Sequence, residues 1–351
     1  MSNYYPSAPY SARTRLSDFK LRQTWQINRD VKTPDKHINW NDEISWLDEI
    51  EEPYRSQLPF RQTDPVFSNV PGDAILSNNA EHHGFTNSDC HILCPGSSFC
   101  SGNFDVRHHF CLQKHGFPVG FGGSWQDAFR GMIQALDHHD AGGIVIAHPT
   151  WFSKLTDDVV CEMLDFDSRV LGIEIYNDLS ANRDYAGSIF TPAEHEAEPG
   201  FSLAMWDRVL STGRCCWGFC VPDHSVRSLA DWHGRIVLLV DNFTDHACLR
   251  AYRTGQFYGC LKDNGLTVTS FTATDFSITC STNTKARIKF VTDDGRERIS
   301  EGESATCRIP QKNGSPAVTF ARVEIEDNSG ERLFLQPVMY RTAGQRQCPT
   351  R

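Results

Sequence analysis

At 351 residues, the chain is long enough for two domains or for one barrel with an appendage. Its net charge of −10 speaks against a nucleic-acid or anionic-membrane surface, since both want a basic footprint. No run of about 18 apolar residues is present to span a bilayer, and residues 1–10 lack the basic and apolar regions of a standard secretory signal, so the chain is read as cytoplasmic.

Residues 1–70 are polar and turn-rich, with Pro6, Pro9, Pro34, Pro53, Pro59 and Pro65. They read as an irregular segment with one short amphipathic helix at 40–50, where Trp40, Ile44, Trp46, Leu47 and Ile50 have roughly helical spacing. From residue 71 the pattern changes to alternating strands and helices. A short apolar run, 91–94, ends at Pro95-Gly96. Ser124 opens a helix with Asp127 as its capping partner, and Trp125, Phe129, Met132, Ile133 and Leu136 form the apolar face. Gly142-Gly143 ends it, and the buried strand 144–147 leads directly to His148-Pro149. Further helices are predicted at 157–164, 202–210 and 245–253, and strands at 170–176, 215–221 and 235–240. Repeated strand–helix–strand order predicts a parallel sheet covered by helices over 71–264.

After Gly265 the helix signals stop. Strands are predicted at 266–272, 275–281, 286–292, 317–327 and 332–340, separated by turn signals at 293–295, 313–314 and 328–330. This is an all-β, sandwich-like domain over 265–340, followed by a tail at 341–351. The thirteen cysteines show no paired zinc-knuckle spacing, and most read as reduced, small buried hydrophobes.

The fourteen histidines are more informative, because clusters of His with Asp and Glu suit zinc, manganese or iron. Side chains just past the C-terminal ends of parallel strands converge on one mouth of a barrel. Three successive strands here end that way. The first delivers His148, the second carries Glu174 with Asn177 just past it, and the third delivers Asp223 and His224. Glu81 and His91 form a further candidate pair, with His82 and His83 as competitors. His108, His109, His138 and His139 read as surface residues, and Arg107, Arg183 and Arg214 as possible anion clamps.

The runs GGIVIAHPTW (142–151), LGIEIYN (171–177), WDRVLSTGRCCWGFCVPDH (206–224) and LRAYRTGQFYG (249–259) resemble the later motifs of the polymerase and histidinol phosphatase (PHP) superfamily of metal-dependent phosphoesterases. The resemblance implies a distorted β/α barrel, carrying the C-terminal all-β domain as an appendage. Its mouth would hold divalent zinc, manganese or iron, and a metal-bound hydroxide would attack a small phosphorylated substrate. On this resemblance His148 falls on a metal-ligating histidine, Glu81 and His91 on a bridging glutamate and the histidine after it, and Asp223 and His224 on the last ligand motif. The family's opening H-x-H has no counterpart before residue 81, and Asp223 and His224 are adjacent where the family spaces them by one residue. Two readings therefore stand: a metal-dependent phosphoesterase, or an inactive relative that binds a phosphorylated or sugar ligand.

Overall fold

The computed structural model describes residues 3–4, 75, 77, 79–82, 85–97, 99, 124–150, 155–178, 200–223, 234–262 and 264–343. The predicted helix at 40–50, and His83, His108, His109, Arg107, Arg183 and His224, lie outside these residues. The described chain is mixed α/β, with few helices and much sheet. It divides into two compact units, residues 1–147 with 242–250, and residues 148–241 with 251–351. Among the described residues, no helix is long and apolar enough to cross a membrane.

In the first unit, β1 (Asn3–Tyr4) pairs parallel with β2 (Ala80–His82), which pairs antiparallel with β3 (His91–Leu93). Helix α1 (Trp125–Gln134) follows. The Ser124 hydroxyl accepts from the Asp127 amide at 3.1 Å, satisfying one orphan donor of the first turn. Trp125, Ala128, Phe129 and Met132 are its buried stripe. The chain then turns at Gly142, where φ is 67° and an added Cβ would lie 2.2 Å from the Pro95 carbonyl oxygen. Only glycine fits both conditions. Strand β4 (Ile144–Ala147), buried throughout, runs antiparallel to β3, with Ala147 opposite His91.

The second unit contains α2 (Asp157–Phe166), capped by Thr156, then β5 (Val170–Asn177), α3 (Leu203–Ser211) and β6 (Trp217–Val221). β5 and β6 are parallel and joined through α3, as the strand–helix–strand pattern predicts. At Gly172 an added Cβ would fall 2.0 Å from the Trp217 carbonyl oxygen, so the two backbones approach too closely for any side chain. On the opposite edge of β6, the Gln336 side chain donates to the Gly218 carbonyl at 2.9 Å and accepts from its amide at 2.8 Å. One side-chain amide thus does there what a neighbouring strand would do.

Strands β7 (Gly234–Leu238) and β8 (Phe257–Leu261) are antiparallel even though helix α4 (Asp245–Thr254) lies between them in sequence. They join an eight-stranded sheet with β9 (Val268–Ala273), β10 (Ser277–Thr292), β11 (Arg298–Arg308), β14 (Phe320–Asp327), β15 (Arg332–Leu335) and β16 (Val338–Met339). A separate hairpin, β12 (Gln311–Lys312) and β13 (Ser315–Pro316), turns at Asn313-Gly314 with both φ values positive, as that dipeptide predicts. The two strands expected at 275–281 and 286–292 are one strand, β10, broken by a register shift between Ser281 and Ala286. β11 went unpredicted because its charged and glycine-containing text carries little apolar alternation. Ile278, Cys280, Ile288, Phe290, Val323, Ile325 and Leu333 form the core beneath this sheet.

Helix α3 is tied to the sheet by one buried cation. The Arg322 guanidinium, 2% exposed, donates to both Asp207 oxygens at 2.6 and 2.8 Å and to Glu324 at 2.6 Å, and lies 4.8 Å over the Trp206 ring. Removing one member of a buried ion pair strands the other charge. Arg322→Ala is expected to destabilise the chain by about 3–5 kcal/mol, read as a lowered urea midpoint.

Candidate metal centre

The site begins with a diagonal pair on neighbouring strands. Glu81 stands opposite Leu93, two residues from His91 on the same face of β3, and its Oε1 lies 2.8 Å from His91 Nδ1. Both side chains are buried. His148 reaches this pair through the chain itself, because Ala147, its covalent neighbour, is the register partner of His91. A strand continued through His148 would send that side chain to the face opposite His91. Instead φ at His148 is 25°, in the left-handed region that a non-glycine residue rarely enters. The left-handed turn ends the strand, and Glu81, His91 and His148 offer three ligand atoms all within 4.8 Å of one another. The residue before a proline normally takes an extended backbone, so the expected influence of Pro149 is overridden here.

The compensation is visible at the His148 backbone. Its N–H donates to Glu174 Oε2 at 2.7 Å, and this bond is buried. Asn177 Nδ2 donates to the same oxygen at 3.0 Å and to Asp223 Oδ2 at 2.9 Å. Glu174 and Asn177, three apart, would face opposite sides of a regular strand. β5 carries a bulge: Glu174 pairs with Phe219, Tyr176 with Cys220 and Asn177 with Val221, leaving Ile175 as the extra residue. The bulge reverses the alternation and brings both polar side chains to one face. Asp223, also left-handed with φ 53°, completes the row. Left-handed backbone costs about 1–3 kcal/mol per non-glycine residue and concentrates at functional sites. Two of the residues singled out in the sequence occupy it.

Burial pushes the Glu174 carboxyl up to about 7, against the opposing pull of His148 and aided by the Asp223 charge. Burial likewise pulls the His82 imidazole down to about 3, leaving a neutral interior side chain beside Phe99, and His82 is not part of the Glu81–His91–His148 group. His138 pairs with Asp245 at 3.2 Å, and Arg214 is held by Asp165 at 2.6 Å. Nine described cysteines are free and eight of them are buried, as the composition suggests, while Cys215 is disulfide-bonded.

Two imidazoles and a carboxylate are a donor set found at catalytic zinc centres, with a fourth position left open, and they also suit iron and manganese. The fit is therefore chemical as well as spatial. Glu174 and Asn177 are the participants to which the sequence gives least weight, since nothing in a strand's alternation reveals a bulge. Compared with protein-family models, curated proteins and solved structures, the chain gives no match to any.

A carboxyl whose value rises on folding holds a proton that the unfolded chain releases. Its contribution to stability is complete below about 4.5 and is lost as pH rises through about 7. In chelator-treated protein, wild type is expected to lose urea resistance between pH 5 and pH 7.5 more steeply than Glu174→Gln. Equal slopes in the two proteins would remove this assignment.

Proposed function

We propose that the chain is a metal-dependent phosphoesterase of the PHP type, acting on a small phosphorylated substrate. The observation that carries the reading is the buried Glu81–His91–His148 group. It is supported by the left-handed backbone at His148 and Asp223 and by the resemblance of the four sequence runs. The same reading assigns the α/β part of the chain to a distorted β/α barrel.

In this reading Glu81, His91 and His148 would hold a zinc, manganese or iron ion. Such an ion would supply Lewis acidity toward a phosphoryl oxygen and toward water. The protein's own part is to fix the ligands and to position charge. Glu174 holds the His148 backbone in its turned form, and the Asn177 amide links Glu174 to Asp223. An imidazole offers a metal its lone pair only in the neutral form. Asp223 and His224 are the residues proposed to complete the ligand set or to handle the proton.

A second reading is the inactive relative that binds a phosphorylated or sugar ligand, favoured by the lack of an H-x-H motif before residue 81. Metal content per purified chain separates the two. The phosphoesterase reading expects about one or more equivalents of zinc, manganese or iron in wild type, lost in His148→Ala and in Glu81→Ala. It also expects hydrolysis of 4-nitrophenyl phosphate in added manganese, with the activity of His148→Ala reduced by about a hundredfold or more. Glu174→Gln should keep the ligands but weaken metal affinity by about tenfold, as loss of an orienting partner does. Wild-type protein with metal no higher than a heat-denatured control would overturn the phosphoesterase reading.

A further inference from the structure

The outward face of the β9–β10–β11 ribbon carries an ordered array of hydroxyl groups. Thr272, Thr279 and Thr306 stand abreast across the three strands, and Ser270, Ser281 and Ser304 form the next row. A third row starts at the β9–β10 turn, where the Thr274 and Ser277 hydroxyls are 3.4 Å apart. The intervening residues Ile278, Cys280, Ala305 and Cys307 are buried, so the alternation of the strands sends every one of these hydroxyls to the same side. Strand spacing sets the columns at about 4.8 Å and residue spacing sets the rows at about 6.8 Å.

Part of this pattern has a structural explanation. Thr279 bonds Thr306 at 2.9 Å, and Ser281 bonds Ser304 at 2.9 Å. Cross-strand hydroxyl pairs of this kind stabilise a sheet. The third column is different. Ser270 and Thr272 are exposed, and their hydroxyls make no hydrogen bond to a described residue. Fold stability gives no reason to continue the array on to β9.

The two full rows are also neutral, which the rest of the strand is not, although the third row ends in the exposed Arg308 opposite Ser277. Beyond the register shift, β10 turns outward Arg287 and Lys289, which with Glu324, Glu326 and Arg332 line a charged recess of about 350 Å³. Before the shift, the two full rows carry no charge in a chain whose net charge is −10. At the turn end of the array stands one exposed aromatic ring, Phe276, 65% exposed, while Phe271, paired with the buried Cys280, belongs to the other face of the ribbon.

We propose that this face binds a neutral polysaccharide. Such a ligand is a regular series of hydroxyl donors and acceptors, with apolar C–H faces between them. Rows of hydroxyls that both donate and accept suit its edges, and the exposed Phe276 ring suits a C–H face. A charged ligand would find no counter-charge in the two full rows, and a single cation, Arg308, at their end. A protein partner bound through an apolar core would find too little apolar surface among them.

The test is co-sedimentation of the full chain with microcrystalline cellulose and with starch granules, and with immobilised heparin as a charged comparison. The readout involves neither metal nor catalysis, so it stands apart from the phosphoesterase reading. Wild type should be retained on at least one neutral polysaccharide and not on heparin. Retention should fall by about tenfold in Thr272→Val/Thr279→Val/Thr306→Val, since each lost hydrogen bond weakens binding several-fold. Valine is favoured in strands, and replacing both members of the Thr279–Thr306 pair leaves neither hydroxyl unpaired, so this variant should stay folded with a urea midpoint near that of wild type. Should it unfold, Ser270→Asp carries the same test, because the Ser270 hydroxyl makes no hydrogen bond among the described residues. Failure of wild type to bind either neutral polysaccharide overturns the proposal. So does retention on heparin alone, or undiminished retention in a folded variant.

Discussion

The hydrogen bond from the His148 amide to the Glu174 carboxylate holds a residue in a conformation that its own side chain and the proline after it both oppose. A charged, buried acceptor is among the few groups strong enough to do this. Hydrogen bonds to ionised partners are roughly twice as strong as neutral ones, and low polarity around them raises that strength further. The same burial pulls the carboxyl toward neutrality, so its value near 7 marks a balance between two demands. Asn177 supports the ionised form by donating to the same oxygen. The candidate ligand His148 is thus positioned by backbone chemistry one step removed from any ligand.

Polar groups in this protein are placed by departures from regular geometry. The left-handed turn at His148 redirects a side chain that a straight strand would carry to the wrong face. The bulge in β5 does the same for Asn177, and the register shift in β10 separates a neutral stretch of surface from a charged one. The apolar residues follow the regular periods. The buried stripe of α1 and the alternation of β10 are ordinary, and so is the continuous burial of β4. Regular elements supply the core, and irregular ones supply the chemistry.

That division explains what could be read from the amino-acid text. The capped starts of α1 and α2, the buried strand before His148 and the Asn313-Gly314 hairpin are local signals, and each was legible. Glu81, His91 and His148 were legible as residue types, and the structure brings them together. His224 lies outside the described residues, so its pairing with Asp223 rests on the sequence alone. Strand direction was not legible throughout: β3 with β4 and β7 with β8 are antiparallel where strand–helix alternation suggests parallel pairing. Glu174 and Asn177 were legible as strand-end polar residues, but not that they share one face, because a bulge leaves no periodic trace. β11 was invisible because an exposed strand flanked by turns has only a weak apolar pattern of its own.

The Gln336 clamp on Gly218 has a consequence for association between molecules. An unpaired strand edge is a template on which another chain can extend the sheet, and proteins commonly guard such edges with charge, proline or a covering loop. Here the donor and the acceptor at the middle of β6 are both engaged by one uncharged side chain of the same molecule. Gly234 of β7 also lies close against the Val221 carbonyl, and Gln336 is itself buried. The clamp therefore works as an internal stopper, ending the sheet at β6 with its polar backbone satisfied inside the molecule.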